Sequence, residues 1–145
     1  MEKKELTDLA LRELRRKYPN VPEYALPKKK VSDTTANGLT KSILTWLTLN
    51  GHYCSRIQSQ GQFNPTLKRW TKSTVRRGIG DVMAIINGRT IMIEVKAGRD
   101  KLSKYQERTR KEVERSGGVY IMVRTFDEFM NWYKNKTSSS PLGTE

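Results

Sequence analysis

The dipeptide Asn87-Gly88 constrains this chain more than any other feature, because it sits between two runs of alternating apolar residues, Asp81 to Ile86 and Arg89 to Lys96. Asn-Gly suits the two loop positions of a type I′ turn, which need positive φ and match the twist of the flanking strands. A two-residue loop also sets the register. Ile86 pairs with Arg89, and stepping outward brings Asp81 opposite Glu94. Side chains alternate along a strand, so Val82, Ala84, Ile86, Ile91, Ile93 and Val95 form one apolar face ready to pack on helices. The other face carries Asp81, Glu94 and Lys96.

Facing carboxylates at cross-strand separation, with Cβ atoms roughly 4.5 to 5.5 Å apart, destabilise a strand pair unless something compensates them. A divalent cation is the natural compensator. The plainer reading is a surface hairpin on which Glu94 and Lys96 form a solvated ion pair. Phosphodiester hydrolysis needs an activated water, stabilisation of negative charge at phosphorus and help for the departing oxygen. A metal held by two carboxylates serves these needs, and a nearby ammonium offsets charge in the transition state. Asp81 and Glu94 are therefore expected as metal ligands, with Lys96 as the positioning residue.

Charge points to the same kind of substrate. Lys and Arg number 28 against 15 Asp and Glu, a formal charge of +13, which favours a polyanion such as nucleic acid. No apolar run approaches the roughly 18 residues that span a bilayer, and no signal peptide or anchor is visible. One cysteine, Cys54, and one histidine, His52, exclude a disulfide framework or a Cys/His zinc site within one chain, and suit a cytoplasmic location. A catalytic metal must then sit on oxygen ligands, which fits Mg²⁺ or Mn²⁺.

At 145 residues the chain is long enough for one domain with a real core. Helical spacing predicts an amphipathic helix over Glu2 to Tyr18, a candidate to dock on the core or on a second subunit. Pro19, Pro22 and Pro27 mark a linker, so residues 1–34 read as an appendage, 35–136 as the functional domain and 137–145 as a disordered tail. A second helix is expected from Thr35 to Asn50, closed by Gly51, and then a strand from His52 to Gln58. A third helix begins at Ser103 and ends at Gly117-Gly118. It is followed by a strand over Val119 to Val123 and a helix containing Phe126, Phe129, Met130 and Tyr133. Gln60 to Ile79 reads as a basic loop with Lys68, Arg69, Lys72, Arg76 and Arg77, no acidic residue, and the aromatics Phe63 and Trp70. It is either a solvated surface segment or a loop that grips phosphates and stacks a base.

Gly80-Asp81, Ile93-Glu94-Val95-Lys96, Ser103 and Gln106 on the next helix, and Gly117-Gly118 before a strand form an ordered series. The series resembles the VRR-NUC branch of the PD-(D/E)XK nuclease superfamily over roughly Thr35 to Tyr133. The resemblance implies a restriction-endonuclease-like α/β core with a mixed central sheet flanked by helices, Mg²⁺ or Mn²⁺ dependence, and DNA as substrate. It adds the Val95 carbonyl as a metal ligand and places Gln106 at the active site, although Ser103 to Gln106 also reads as a helix capping box. Many members carry an acid in the first core helix, whereas the comparable stretch here offers Asn37, a weaker oxygen donor that reads equally well as a helix N-cap.

The expected activity is metal-dependent DNA cleavage, directed by kinship at branched or junction DNA. Symmetric cutting of a junction implies a homodimer. The rivals are a DNA-binding module of the same fold that has lost catalysis, a restriction-type or repair endonuclease acting on duplex, and an RNA-directed nuclease.

Overall fold

The Asn87-Gly88 turn forms with φ of 49° and 79°, and pairs Ile86 with Arg89 as its two-residue loop requires. The computed structural model of the chain describes residues 2–58 and 60–138. In chain order its elements are α1 (Glu2–Lys17), α2 (Ala36–Leu49), β1 (Tyr53–Arg56), β2 (Gln62–Asn64), β3 (Arg69–Thr71), β4 (Val82–Ile86), β5 (Arg89–Val95), α3 (Lys104–Arg115), β6 (Val119–Val123) and α4 (Phe126–Ser138). A 3-10 turn at Glu23–Ala25 interrupts the proline-rich connection.

Four strands make a mixed sheet in the order β1-β4-β5-β6, with antiparallel pairs β1/β4 and β4/β5 and a parallel pair β5/β6. The parallel pair needs a crossover, and α3 supplies it. Val82, Ala84, Ile86, Ile91, Ile93 and Val95 are all buried in one cluster with Leu39, Ile43, Leu47, Phe126, Phe129 and Met130. Thus α2 and α4 cover the apolar face of the hairpin. The opposite face is covered too. Met92 and Glu94 of β5 are buried there, beneath α3, so the hairpin is central where its sequence alone describes a two-sided surface.

The N-terminal helix docks on this same core. Leu6 is buried within the central cluster, and α1 packs on α2 and α4. Asp33 ties the arrangement together by pairing with Lys3 and accepting from the Phe126 amide at 3.0 Å. Burial acts to raise the Asp33 pKa, but those two partners outweigh it and hold the group below its ordinary value.

Several boundaries differ from the sequence reading. β1 spans Tyr53–Arg56 instead of His52 to Gln58, and β4 starts at Val82, leaving Asp81 just outside it. α4 continues through Thr137 and Ser138, two residues past the expected start of the tail; residues 139–145 lie outside the described residues. The segment read as an unstructured basic loop contains a two-stranded ribbon, β2 paired with β3. Strands of three residues are too short for a period of two to stand out. No described helix is long and apolar enough to cross a membrane.

Candidate active site

Asp81 reaches its position because Gly80 has no side chain. A Cβ at Gly80 would stand 2.9 Å from the Ile93 carbonyl oxygen, so only glycine lets this backbone lie so close to β5. The Asp81 carbonyl accepts from the Ile57 amide at 2.8 Å, continuing the β1/β4 ladder by one bond. Its side chain then turns to the neighbouring strand, where Oδ2 accepts the Val95 amide at 2.8 Å. Oδ1 has no protein donor among the described residues.

Glu94 lies on β5, opposite Asp81 by continuation of the hairpin register, and is 5% exposed. Its Oε1 accepts from Gln106 Nε2 at 2.6 Å and lies 3.4 Å from Lys96 Nζ. Oε2 has no protein donor among the described residues. Burial first, and the Asp81 charge second, push the Glu94 carboxyl up to about 7, against the opposing pull of Lys96 and Gln106. The Glu94–Lys96 pair is therefore no solvated surface contact. Lys96 is itself largely enclosed, and its amide extends the β5/β6 ladder by donating to the Val123 carbonyl at 3.1 Å.

Gln106 both completes a capping box and reaches Glu94. Its carbonyl accepts from the Ser103 amide at 2.8 Å while Ser103 Oγ accepts from the Gln106 amide at 3.2 Å, a complete capping box. The same side chain's NH₂ is left to hold Glu94. Asp81, Glu94, Val95, Lys96 and Gln106 thus share one end of the sheet.

Asn37 is not the helix N-cap that its position suggested. The N-cap of α2 is Thr35, whose Oγ1 accepts from the Gly38 amide at 3.0 Å, so Asn37 falls inside the first turn. Its Oδ1 accepts instead from Arg56 Nη1 at 2.7 Å. The basic residues divide into two groups. Arg76 is paired with Glu112, and Arg77 lies over the Tyr105 ring at 4.6 Å. Lys68, Arg69 and Lys72 sit on or beside the β2–β3 ribbon, with no acidic partner among the described residues.

Further residues that the sequence did not single out hold the site in shape. Tyr120 donates its hydroxyl to the Gly78 carbonyl at 3.1 Å, and Thr109 donates to the Arg77 carbonyl at 3.3 Å, pinning the approach to Asp81 onto β6 and α3. Arg124 donates to the carbonyls of Gly98 at 2.9 Å and Asp100 at 2.5 Å, bracing the loop between Lys96 and Ser103. A positive φ of 81° at Gly78 is the local trace of the first clamp. Nothing in the sequence pattern marks Arg124, whose partners are backbone atoms.

The donor set is all oxygen: one free carboxylate oxygen each from Asp81 and Glu94, with the Val95 carbonyl as a third candidate. Such donors suit a hard divalent cation. The raised Glu94 pKa reflects burial first and the neighbouring Asp81 charge second, and positive charge placed between the two acids would lower it. Among the described residues no group of three or more His, Cys, Asp or Glu side chains is placed to hold an ion, so an ion here would have at most the two acids as side-chain ligands and would need carbonyl and water for the rest. The chain matches no known protein family and no curated protein.

Proposed function

We propose that the chain is a metal-dependent nuclease that hydrolyses phosphodiester bonds in DNA. The observation that carries this reading is the buried Glu94 carboxylate, held by Gln106 and Lys96 beside Asp81, with one oxygen of each acid left free. With the separate β2–β3 ribbon set aside, the order helix, three strands, helix, strand from α2 to β6 agrees with the restriction-endonuclease-like core that the motif series resembles.

In this mechanism Asp81, Glu94 and the Val95 carbonyl would hold Mg²⁺ or Mn²⁺. Such an ion supplies Lewis acidity toward the scissile phosphate and makes a bound water more acidic. Gln106 keeps Glu94 in one rotamer, which preserves the direction of its free oxygen. Lys96 holds its ammonium beside Glu94, where it would offset negative charge developing on a phosphate and orient the attacking water. The net charge of +13 draws the polyanion in. Selectivity for branched DNA, and the homodimer that paired cuts need, rest on the family resemblance.

The second reading is a DNA-binding module with weak or no catalysis. It is favoured by Asn37, which lies in the stretch where many members of the family that the motifs resemble carry an acid, and whose oxygen is already engaged by Arg56. Cleavage of a labelled four-way junction, a flap and a linear duplex, each with Mg²⁺, Mn²⁺ or EDTA, separates the readings. Metal-dependent cuts lost in Glu94→Gln establish the nuclease. Tight binding with no cut under either metal establishes the module.

A further inference from the structure

The β2–β3 ribbon contributes nothing to the core. Its strands pair with each other and join no other sheet, and none of their six residues is buried. A free two-stranded ribbon is marginal in water, and this one spends its apolar side chains on solvent. Phe63 and Trp70 are cross-strand partners, 52% and 73% exposed, with ring centroids 6.0 Å apart at 66°. Leu67 is exposed at the tip, where Asn64 Oδ1 accepts the Thr66 and Leu67 amides at 2.9 and 3.0 Å and shapes the turn.

Around these rings the charge is of one sign. Lys68, Arg69 and Lys72 lie within two residues of Trp70, and residues 60–80 contain no acid. Period-two alternation places Lys72 on the aromatic side and Arg69 on the other. An exposed aromatic face ringed by cations fits a partner that is at once flat, apolar and anionic, and a nucleobase on its phosphate backbone has all three properties. The ribbon is inserted between β1 and β4, whose Ile57–Asp81 hydrogen bond closes its base. It therefore springs from the sheet end that carries Asp81.

We infer that the ribbon is a stacking platform for an unpaired nucleobase, so that single-stranded stretches beside the cleavage site are gripped by Phe63 and Trp70 while duplex is held by charge alone. This rests on the nucleic-acid reading of the site, but it concerns binding and is measured without metal. Its failure and the failure of the catalytic reading therefore appear in different assays.

Trp46 is buried and Trp132 half-buried, so quenching of tryptophan emission by a ligand reports chiefly on Trp70. With the 145-residue chain in EDTA, oligothymidylate should quench this emission and a blunt duplex of equal length should quench it little. By anisotropy of labelled strands, Trp70→Ala should weaken single-strand binding roughly tenfold and duplex binding by less than twofold, with Trp70→Phe close to wild type. Phe63→Ala should act in the same direction. Equal loss on both substrates, unchanged single-strand affinity in Trp70→Ala, or a lowered oligomeric state of Trp70→Ala in sedimentation would each overturn the proposal, the last by making the face a contact between copies of the chain.

Discussion

Gln106 Nε2 stands 2.6 Å from Glu94 Oε1 while the carbonyl of the same amide accepts from Ser103, so one side chain both starts a helix and aims a buried acid. The two duties are separable by mutation. Ser103→Ala removes a cap contact and should cost about 1 kcal/mol of stability with cleavage largely kept. Gln106→Ala should cost a similar amount and also lose most of the cleavage rate. Thermal denaturation read beside single-turnover cleavage checks both, and equal activity in the two variants would remove Gln106 from the site.

The Glu94 carboxyl, ordinarily near 4.5 and pushed up to about 7, makes a prediction for metal-free stability. Between those values the unfolded chain releases the proton that the folded one retains, so stability falls as pH rises through this window and levels off above it. The loss assignable to Glu94 is on the order of 3 kcal/mol. His52, lowered by burial, slopes the opposite way nearby, so the quantity to measure is the difference between wild type and Glu94→Gln. Denaturant titrations across the window should show the fall in wild type alone, and saturating Mg²⁺ or Mn²⁺ should reverse it at higher pH. No metal-induced stabilisation above the window would count against the ion site.

Asp81→Asn keeps an oxygen able to accept the Val95 amide, which is bonded at 2.8 Å, and removes the charge. Cleavage should disappear while the fold and most DNA binding remain. The same substitution relieves Glu94 of its neighbour's repulsion, so the Glu94 titration should move back toward its ordinary range, as followed by NMR of the labelled carboxyl. Cleavage at the wild-type rate in Asp81→Asn would sink the assignment of both acids.

The basic residues should not contribute equally to DNA binding. Arg76 is already paired with Glu112, whereas Lys68, Arg69 and Lys72 have no acidic partner among the described residues. Replacing those three with Ala should lower the slope of log affinity against log salt by roughly 2 to 3, more than Arg76→Ala does. Glu112→Ala should free Arg76 and strengthen binding. A larger loss of slope in Arg76→Ala than in the triple variant would reverse this ranking.

The register of the central hairpin was legible because Asn87-Gly88 admits few turns, and with it came the pairing of Asp81 with Glu94 and the apolar face beneath them. The capping box at Ser103 and Gln106 was legible for the same reason, being local chemistry. What eluded the sequence depends on tertiary placement. The burial of Glu94 follows from α3 crossing over β5, which no period along β5 reveals. The cap of α2 at Thr35 displaced Asn37 by two positions, since several residues there are able to cap and packing chooses among them. The ribbon was hidden because Phe63 and Trp70 are single apolar residues in short polar strands, and Arg124 because its partners are carbonyls.

The Ile57–Asp81 hydrogen bond closes the gap from which the ribbon emerges, so the chain leaves the sheet and returns to it at nearly one point. An excursion of this kind can change in length or composition while the strands beneath it keep their alignment. On the proposed reading, substrate preference and bond-breaking chemistry would be written in different stretches of chain, and one would be open to redesign by grafting without retuning the other.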